Sequence, residues 1–252
     1  MIEILILSLI QGITEFLPVS SSSHLVLISE NFDFDNKNLS IDVSLHIGSF
    51  IAVIFYFRRD VINFFVNKVL FLKILISSLP VMLIGYYLAE SGGIEKIRNI
   101  KIIAWTTIIF GILLYLSDRF KLEKNINDNF TFKSAIFIGL LQILSLIPGV
   151  SRSGIGITAA RLLNFKRIDA AKISFLLSIP ILGSVSTYGF KNIIFSEDVD
   201  FTLINFLAIF LSFLFSLFTI KYFLKYINNF SLDIFVYYRI ILGIFLLGFI
   251  YL

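Results

Sequence analysis

Gln11-Gly12-Ile13-Thr14-Glu15-Phe16-Leu17-Pro18-Val19-Ser20-Ser21-Ser22-Ser23-His24 places a carboxylate, four consecutive hydroxyls and an imidazole in a chain otherwise built for lipid. A carboxylate at the centre of a bilayer costs roughly 2.5–3.5 kcal/mol on insertion scales, so it needs a purpose or a partner. A partner is available far along the chain. Pro148-Gly149-Val150-Ser151-Arg152-Ser153-Gly154 is a second polar turn in apolar surroundings, and it carries an arginine. A single site that uses both turns is the expectation.

Residues 1–16 are apolar apart from Glu3, Ser8, Gln11, Thr14 and Glu15, and Pro18 closes the pattern. A span needs about 20 residues, so this is too short to cross. His24 to Ser29 is again short and apolar. Two half-length helices joined by a Pro/Ser turn describe a re-entrant hairpin, which survives at membrane depth when protein or a wet cavity surrounds it. Apolar runs of spanning length follow at 41–57, 72–89 and 102–117. The pattern then returns: an apolar 132–147 with Gln142, the Pro148-Gly149 break, a short helix over 153–163, and runs at 173–190, 203–222 and 233–251. Gln11 to Ser20-Ser21-Ser22-Ser23 has the spacing of Gln142 to Ser151-Arg152-Ser153-Gly154. The expected architecture is an all-α polytopic membrane protein, one integral membrane domain over 1–252. Its repeats occupy about 1–120 and 130–252, each a re-entrant hairpin plus three transmembrane helices. Three spans per half invert the second copy, an inverted-topology repeat of the transporter kind.

Composition agrees. Of 252 residues 58% are hydrophobic and 15% charged, far from a soluble domain's balance. There is no cysteine, which excludes disulfides, thiolate metal sites and a cysteine nucleophile. The net charge of +4 is small and scattered, so no nucleic-acid partner is expected. Met1 to Ile10 lacks a basic leader and a small-residue cleavage site, and is read as retained structure. Arg58, Arg59, Lys68 and Lys73, and Arg161, Lys166, Arg167 and Lys172, read as two cytoplasmic basic loops over 58–73 and 161–172. Acidic loops at 30–41 (Glu30, Asp33, Asp35) and 190–200 (Glu197, Asp198, Asp200) belong outside, which puts both termini outside.

Gln11 and Glu15 lie four apart and share a helix face. Ser20 to Ser23 open the second half-helix, where hydroxyls and bare N–H groups form an anion site. The turn at 149–154 repeats that device, and Arg152 adds a fork suited to phosphate. Two such N-termini meeting in mid-membrane suit two adjacent phosphates, with Glu15 either holding a divalent cation or acting as a base. Isolated serines such as Ser77 and Ser212 read as interhelical packing. His46 reads equally as structurally satisfied or as support for the site. Arg239 and Lys221 are expected to snorkel or to pair structurally.

These motifs resemble the undecaprenyl-diphosphate phosphatase family, the bacitracin-resistance proteins. The likeness rests on Gln11 to Glu15, Pro18 to His24, Pro148 to Gly154, Asp42 to Ser49, and Ser174 to Pro180, and it extends over essentially the whole chain. The resemblance implies hydrolysis of undecaprenyl diphosphate to undecaprenyl phosphate and inorganic phosphate, recycling the lipid carrier for cell-wall synthesis. It also implies the bacterial inner membrane, an active site facing the outer (periplasmic) side, a divalent cation such as Mg²⁺ or Ca²⁺, and a homodimer. Carried over by motif, Glu15 is the essential acid, Ser21 the nucleophile, His24 a second catalytic group and Arg152 the phosphate clamp. Ser20, Ser22, Ser151 and Ser153, with Gly149 and Gly154, form the phosphate cradle, and Glu15 with Gln11 holds the metal. The chain departs from the family at Gln11 (commonly Glu), Ser23 (commonly Gly) and Gly156 (commonly Thr); Thr158 stands nearby.

On these residues Ser21 attacks phosphorus while His24 or Glu15 takes its proton. A metal-activated water, or a phosphohistidine on His24, fits them equally. The Lys-x₆-Arg-Pro and Ser-Arg-x₅-His-x₃-Asp elements of acid-phosphatase-like lipid phosphatases are not found in the sequence. The rival of another class is a polyprenyl-phosphate carrier or flippase, which needs cradles and an arginine but no nucleophile.

Overall fold

The computed structural model describes residues 1–31, 39–195 and 202–251. In chain order the helices are α1 (Ile2–Thr14), α2 (Ser21–Asn31), α3 (Leu39–Tyr56), α4 (Arg58–Val66), α5 (Lys68–Glu90), α6 (Gly93–Ile97) and α7 (Ile100–Asp118). They continue as α8 (Ile126–Asn129), α9 (Phe132–Gln142), α10 (Arg152–Leu162), α11 (Arg167–Phe195), α12 (Leu203–Asn229) and α13 (Asp233–Tyr251). A 3₁₀ turn over Ile143–Leu146 prolongs α9 toward the second break. Among the described residues there is no strand, and a lone bridge links Lys124 and Phe165.

Five of these helices have the length and apolarity to cross a membrane: α5, α7, Arg167–Lys191 of α11, α12 and α13. A sixth candidate is a bent pair of helices. Ser40–Tyr56 turns by 69° into Arg58–Val66, so the basic segment expected as a loop over 58–73 is helical. α1 and α9 are apolar but, at 13 and 11 residues, too short to cross. The chain is a multi-pass, all-α membrane protein.

In lipid the apolar effect does not drive helices together, so close approach and polar contacts must. Gly12 shows the first: a methyl there would collide with Phe215 and the backbone of Ser216 on α12. The isolated serines show the second. Ser77 on α5 donates to the Ala135 carbonyl of α9 at 2.5 Å, and Ser212 on α12 donates to the Leu45 carbonyl of α3 at 2.7 Å. Phe175 is fully buried on α11. It takes Phe16 edge-on at 5.3 Å and lies 5.8 Å from Phe223, tying the first turn to the core.

Contacts in the two halves correspond. α1 packs on α12 as α9 packs on α5, while α3 meets α11 and α7 meets α13. Ser20 and Ser151, matched in spacing, are both left-handed, with φ of +76° and +71°. Each offers its carbonyl to the amide four residues on, His24 and Ile155. Two non-glycine residues in so costly a conformation at equivalent positions mark a shared turn.

The second basic segment is largely not a loop. α10 runs to Leu162 and α11 starts at Arg167. Arg161 is fully buried. It reaches Asp118 through Nε at 3.3 Å, joined by Arg167 Nε at 2.8 Å. Asp118 also accepts from the Leu232 amide, so one carboxylate ties the ends of α7 and α10 to the starts of α11 and α13. Asp33, Asp35, Glu197, Asp198 and Asp200 of the expected acidic loops lie outside the described residues.

Candidate active site

Each hairpin turn offers backbone carbonyls to partners outside itself, and the fold presses one turn against the other. Ser153 donates from its hydroxyl to the Leu17 carbonyl at 2.7 Å. Arg239 reaches in from the middle of α13. It is fully buried and donates to Pro18 at 3.1 Å, Gly149 at 2.8 Å, Val150 at 3.1 Å and Thr107 at 3.2 Å, all backbone carbonyls. No carboxylate pairs with it among the described residues. An arginine's rigid fork of five donors suits such a cluster of carbonyls. Arg239 therefore buckles both turns together, where snorkelling or ordinary pairing was expected. The available signal was its place mid-span in the run 233–251.

The apposition brings Glu15 and Arg152 together across 137 positions of sequence: Nη2 donates to Oε1 at 2.8 Å. The other oxygen, Oε2, accepts from the Ser21 hydroxyl at 2.6 Å and from Gln11 Nε2 at 3.1 Å. Gln11 Nε2 also lies 3.2 Å from His46 Nδ1. Arg152 Nη1 and Gln11 Oε1 are buried and without partners. Buried polar groups are nearly always paired, so these two atoms call for a ligand.

Arg152 lines a cavity of about 380 Å³, a size typical of small-molecule sites, and Gln11 stands behind that lining, bonded to Glu15 and His46. Glu15, Ser20, Ser21, Ser22, Ser151, Arg152 and His46 contribute to its polar lining, as do hydroxyl-bearing residues such as Thr14, Ser145 and Ser184. α5 contributes Val81 and Met82, and α11 contributes Ile181 and Leu182, all apolar. In both helices these residues directly follow an internal proline, Pro80 and Pro180. Each proline removes a helix hydrogen bond and loosens the wall at that level.

The remaining expected site residues lie behind the lining. Ser153 and Gly154 build the second turn: Ser151 Oγ accepts from the Gly154 N–H at 3.1 Å and so caps α10. Gly149 has φ +92°, and an added methyl would collide with the Thr106 side chain and the Ile103 backbone. Thr106 in turn donates to the Pro148 carbonyl at 2.6 Å, a contact that sequence spacing did not suggest. Gly149→Ala is therefore expected to destabilise the protein by about 1–3 kcal/mol, read as a lower thermal midpoint in detergent; an unchanged midpoint would contradict the packing of this turn. His24 is not part of the lining. Its Nδ1 lies 2.6 Å from the Ser20 carbonyl and its Nε2 2.5 Å from the Tyr238 hydroxyl, with the two rings stacked at 5.7 Å.

Chemically the site offers a serine hydroxyl hydrogen-bonded to a carboxylate, a guanidinium with a bare donor, further hydroxyls and an apolar wall. That set can bind a phosphate ester or anhydride and hand the serine proton to Glu15.

A family model described as "Bacitracin resistance protein BacA" matches residues 4–245. The chain is 51% identical over 251 residues to the undecaprenyl-diphosphatase of Pelagibacter ubique, covering 99% of the chain and 98% of that relative. It is 41% identical to the undecaprenyl-diphosphatase of Saccharophagus degradans, covering 94% and 93%. It is 37% identical to that of a Jannaschia species, covering 96% of each. With both hairpins inside the matched span and relatives aligned along nearly their whole length, the chain belongs to the bacitracin resistance protein BacA family.

Proposed function

We propose that the chain hydrolyses undecaprenyl diphosphate to undecaprenyl phosphate and inorganic phosphate, so recycling the lipid carrier for cell-wall synthesis and conferring bacitracin resistance. The observation that carries this reading is the Ser21–Glu15–Arg152 set on a cavity that α5 and α11 line largely with apolar side chains. Relatives at up to 51% identity bear the name undecaprenyl-diphosphatase.

Phosphoryl transfer asks a protein mainly for positioning and charge stabilisation. The terminal phosphate sits among Ser20, Ser22 and Ser151, with Arg152 Nη1 donating to it. Ser21 Oγ attacks the terminal phosphorus, its proton passes to Glu15 Oε2, and the prenyl phosphate leaves. Water then hydrolyses the serine ester. The 2.6 Å bond from Ser21 favours Glu15 over His24 as proton acceptor. His24, bonded to the Ser20 carbonyl, instead supports the turn.

A divalent cation such as Mg²⁺ or Ca²⁺ fits as a companion of the substrate. Among the described residues no three acidic or histidine side chains cluster to hold one. Glu15 and the unpartnered Gln11 Oε1 would hold it beside phosphate oxygens, as magnesium sites commonly use one or two protein ligands plus phosphates. When bound, it supplies charge neutralisation to the diphosphate.

The remaining parts of this proposal are an inverted second repeat, a bacterial inner-membrane location, a cavity open to the outer face, and a homodimer. Because the chain lacks cysteine, Ser22→Cys provides a single thiol in the exposed part of the first turn. It is expected to react with an impermeant thiol reagent added outside intact cells; labelling from the cytoplasmic side alone contradicts the orientation. Light scattering in detergent tests the dimer, and a monomer mass rejects it.

Phosphate release in detergent, where no leaflets exist, tests the activity itself. Ser21→Ala is expected to lower turnover by roughly 10²-fold or more. A purified protein that frees no phosphate yet moves labelled lipid across liposomes would make it a carrier.

A further inference from the structure

His46 is left over once Ser21, Glu15 and Arg152 have their roles. The sequence left it open between a structural and a supporting part. It sits on α3, away from both hairpin turns, yet it shares the cavity lining with Glu15, Ser21 and Arg152.

Its protonation follows from its neighbour. Gln11 Nε2 carries two hydrogens and has two partners: Glu15 Oε2 at 3.1 Å and His46 Nδ1 at 3.2 Å. The reverse orientation of the amide would set its oxygen against the carboxylate, which carries no hydrogen to share while paired with Arg152. So Gln11 donates to both, and His46 Nδ1 accepts. An imidazole that accepts at Nδ1 is neutral and bears its proton on Nε2. Among the described residues no hydrogen bond engages that Nε2–H. Asp42, one turn earlier on α3, is near enough to act on the ring electrostatically, but no hydrogen bond between the two is found among the described residues. A neutral imidazole with its proton on Nε2 is a donor; it has no lone pair there to take a proton from Ser21.

We propose that His46 is a head-group ligand, its Nε2–H donating to a phosphoryl oxygen of the bound prenyl diphosphate. The proposal rests on the hydrolase reading above and adds α3 to the elements that hold the substrate. In the free site, Gln11 spans His46 and Glu15, so the same glutamine fixes the tautomer of the donor and the position of the acid. This gives the Gln11 amide a purpose that a glutamate would not serve, since a carboxylate has no hydrogen to give Nδ1. Here His46 binds and orients, and it forms no bond to phosphorus.

The test compares His46→Leu and His46→Gln, purified in detergent, with undecaprenyl diphosphate as substrate and Glu15→Gln as a reference. A hydrogen bond to a charged oxygen is worth roughly ten- to hundredfold in binding, so KM for His46→Leu rises by about that factor with kcat changed by less than about threefold. Glutamine keeps an N–H donor at similar reach, so His46→Gln stays within about fivefold of the parent. The chain has two histidines, so in a His24→Gln background the ¹⁵N spectrum reports His46 alone. Its Nδ1 is expected unprotonated and its Nε2 protonated.

Unchanged KM in His46→Leu overturns the proposal, as does a fall in kcat without a rise in KM. Equal losses in the leucine and glutamine variants, or a proton on Nδ1, overturn it too. In each of those cases phosphate release by the parent and its loss in Glu15→Gln leave the hydrolase reading standing. A parent that releases no phosphate removes that reading and this one with it.

Discussion

Glu15→Gln is expected to lower kcat for phosphate release by about 10²–10⁴-fold, the usual contribution of a positioned acid–base group. The substitution keeps the side chain's size, so the cavity stays open. What it removes is an oxygen able to take the Ser21 proton across the 2.6 Å bond. It also removes the negative charge facing Arg152. With that charge gone the guanidinium attracts the diphosphate more strongly, which at saturating divalent cation offsets the lost cation ligand, so KM should change little while kcat collapses. That split is diagnostic of a group that acts in the transition state. A variant with raised KM and near-parental kcat would make Glu15 a binding residue and remove the proposed proton transfer.

Arg239→Leu carries the second large effect, and it does so without touching substrate. Each carbonyl left buried and unpaired costs about 1–3 kcal/mol. Four carbonyls lose their donor at once: Pro18, Thr107, Gly149 and Val150. Protein stabilities are commonly only about 5–15 kcal/mol, so Arg239→Leu is expected not to accumulate as a monodisperse species. Arg239→Lys keeps a cation and some donors but loses the planar fork. It is expected to purify with a lowered thermal midpoint, and with kcat/KM reduced by roughly tenfold or more as the two turns drift apart. Parental activity and melting in Arg239→Lys would show that the turns hold their places without this buckle.

Much of the fold was legible because the residues that set it announce themselves locally. Pro18 and Pro148 break apolar runs too short to cross, and the repeated spacing from glutamine to serine is visible by eye. Glu15, Ser21 and Arg152 were legible for another reason: polar groups at that depth are costly, so each invites a search for its partner. What stayed hidden depends on tertiary contacts. The depth of Arg239 within the run 233–251 argues against snorkelling, but nothing local names its partners; its role appears when two distant turns present carbonyls to one point. Arg161 read as a loop charge because the α7 residue that buries it, Asp118, lies 43 positions away. The sequence favours His24 for the site and leaves His46 open, whereas His46 lines the cavity, because its wall is assembled from α3, α5 and α11 as well as the turns.

The pairing of the two half-turns at a single reacting centre is tested most directly by a double-mutant cycle on phosphate release with Glu15→Gln, Arg152→Gln and the combined variant. Residues that work as one unit are strongly non-additive, so the combined variant should be about as active as the worse single one. Losses that multiply, as they do for independent sites, would mean that the carboxylate of the first turn and the guanidinium of the second do not act together.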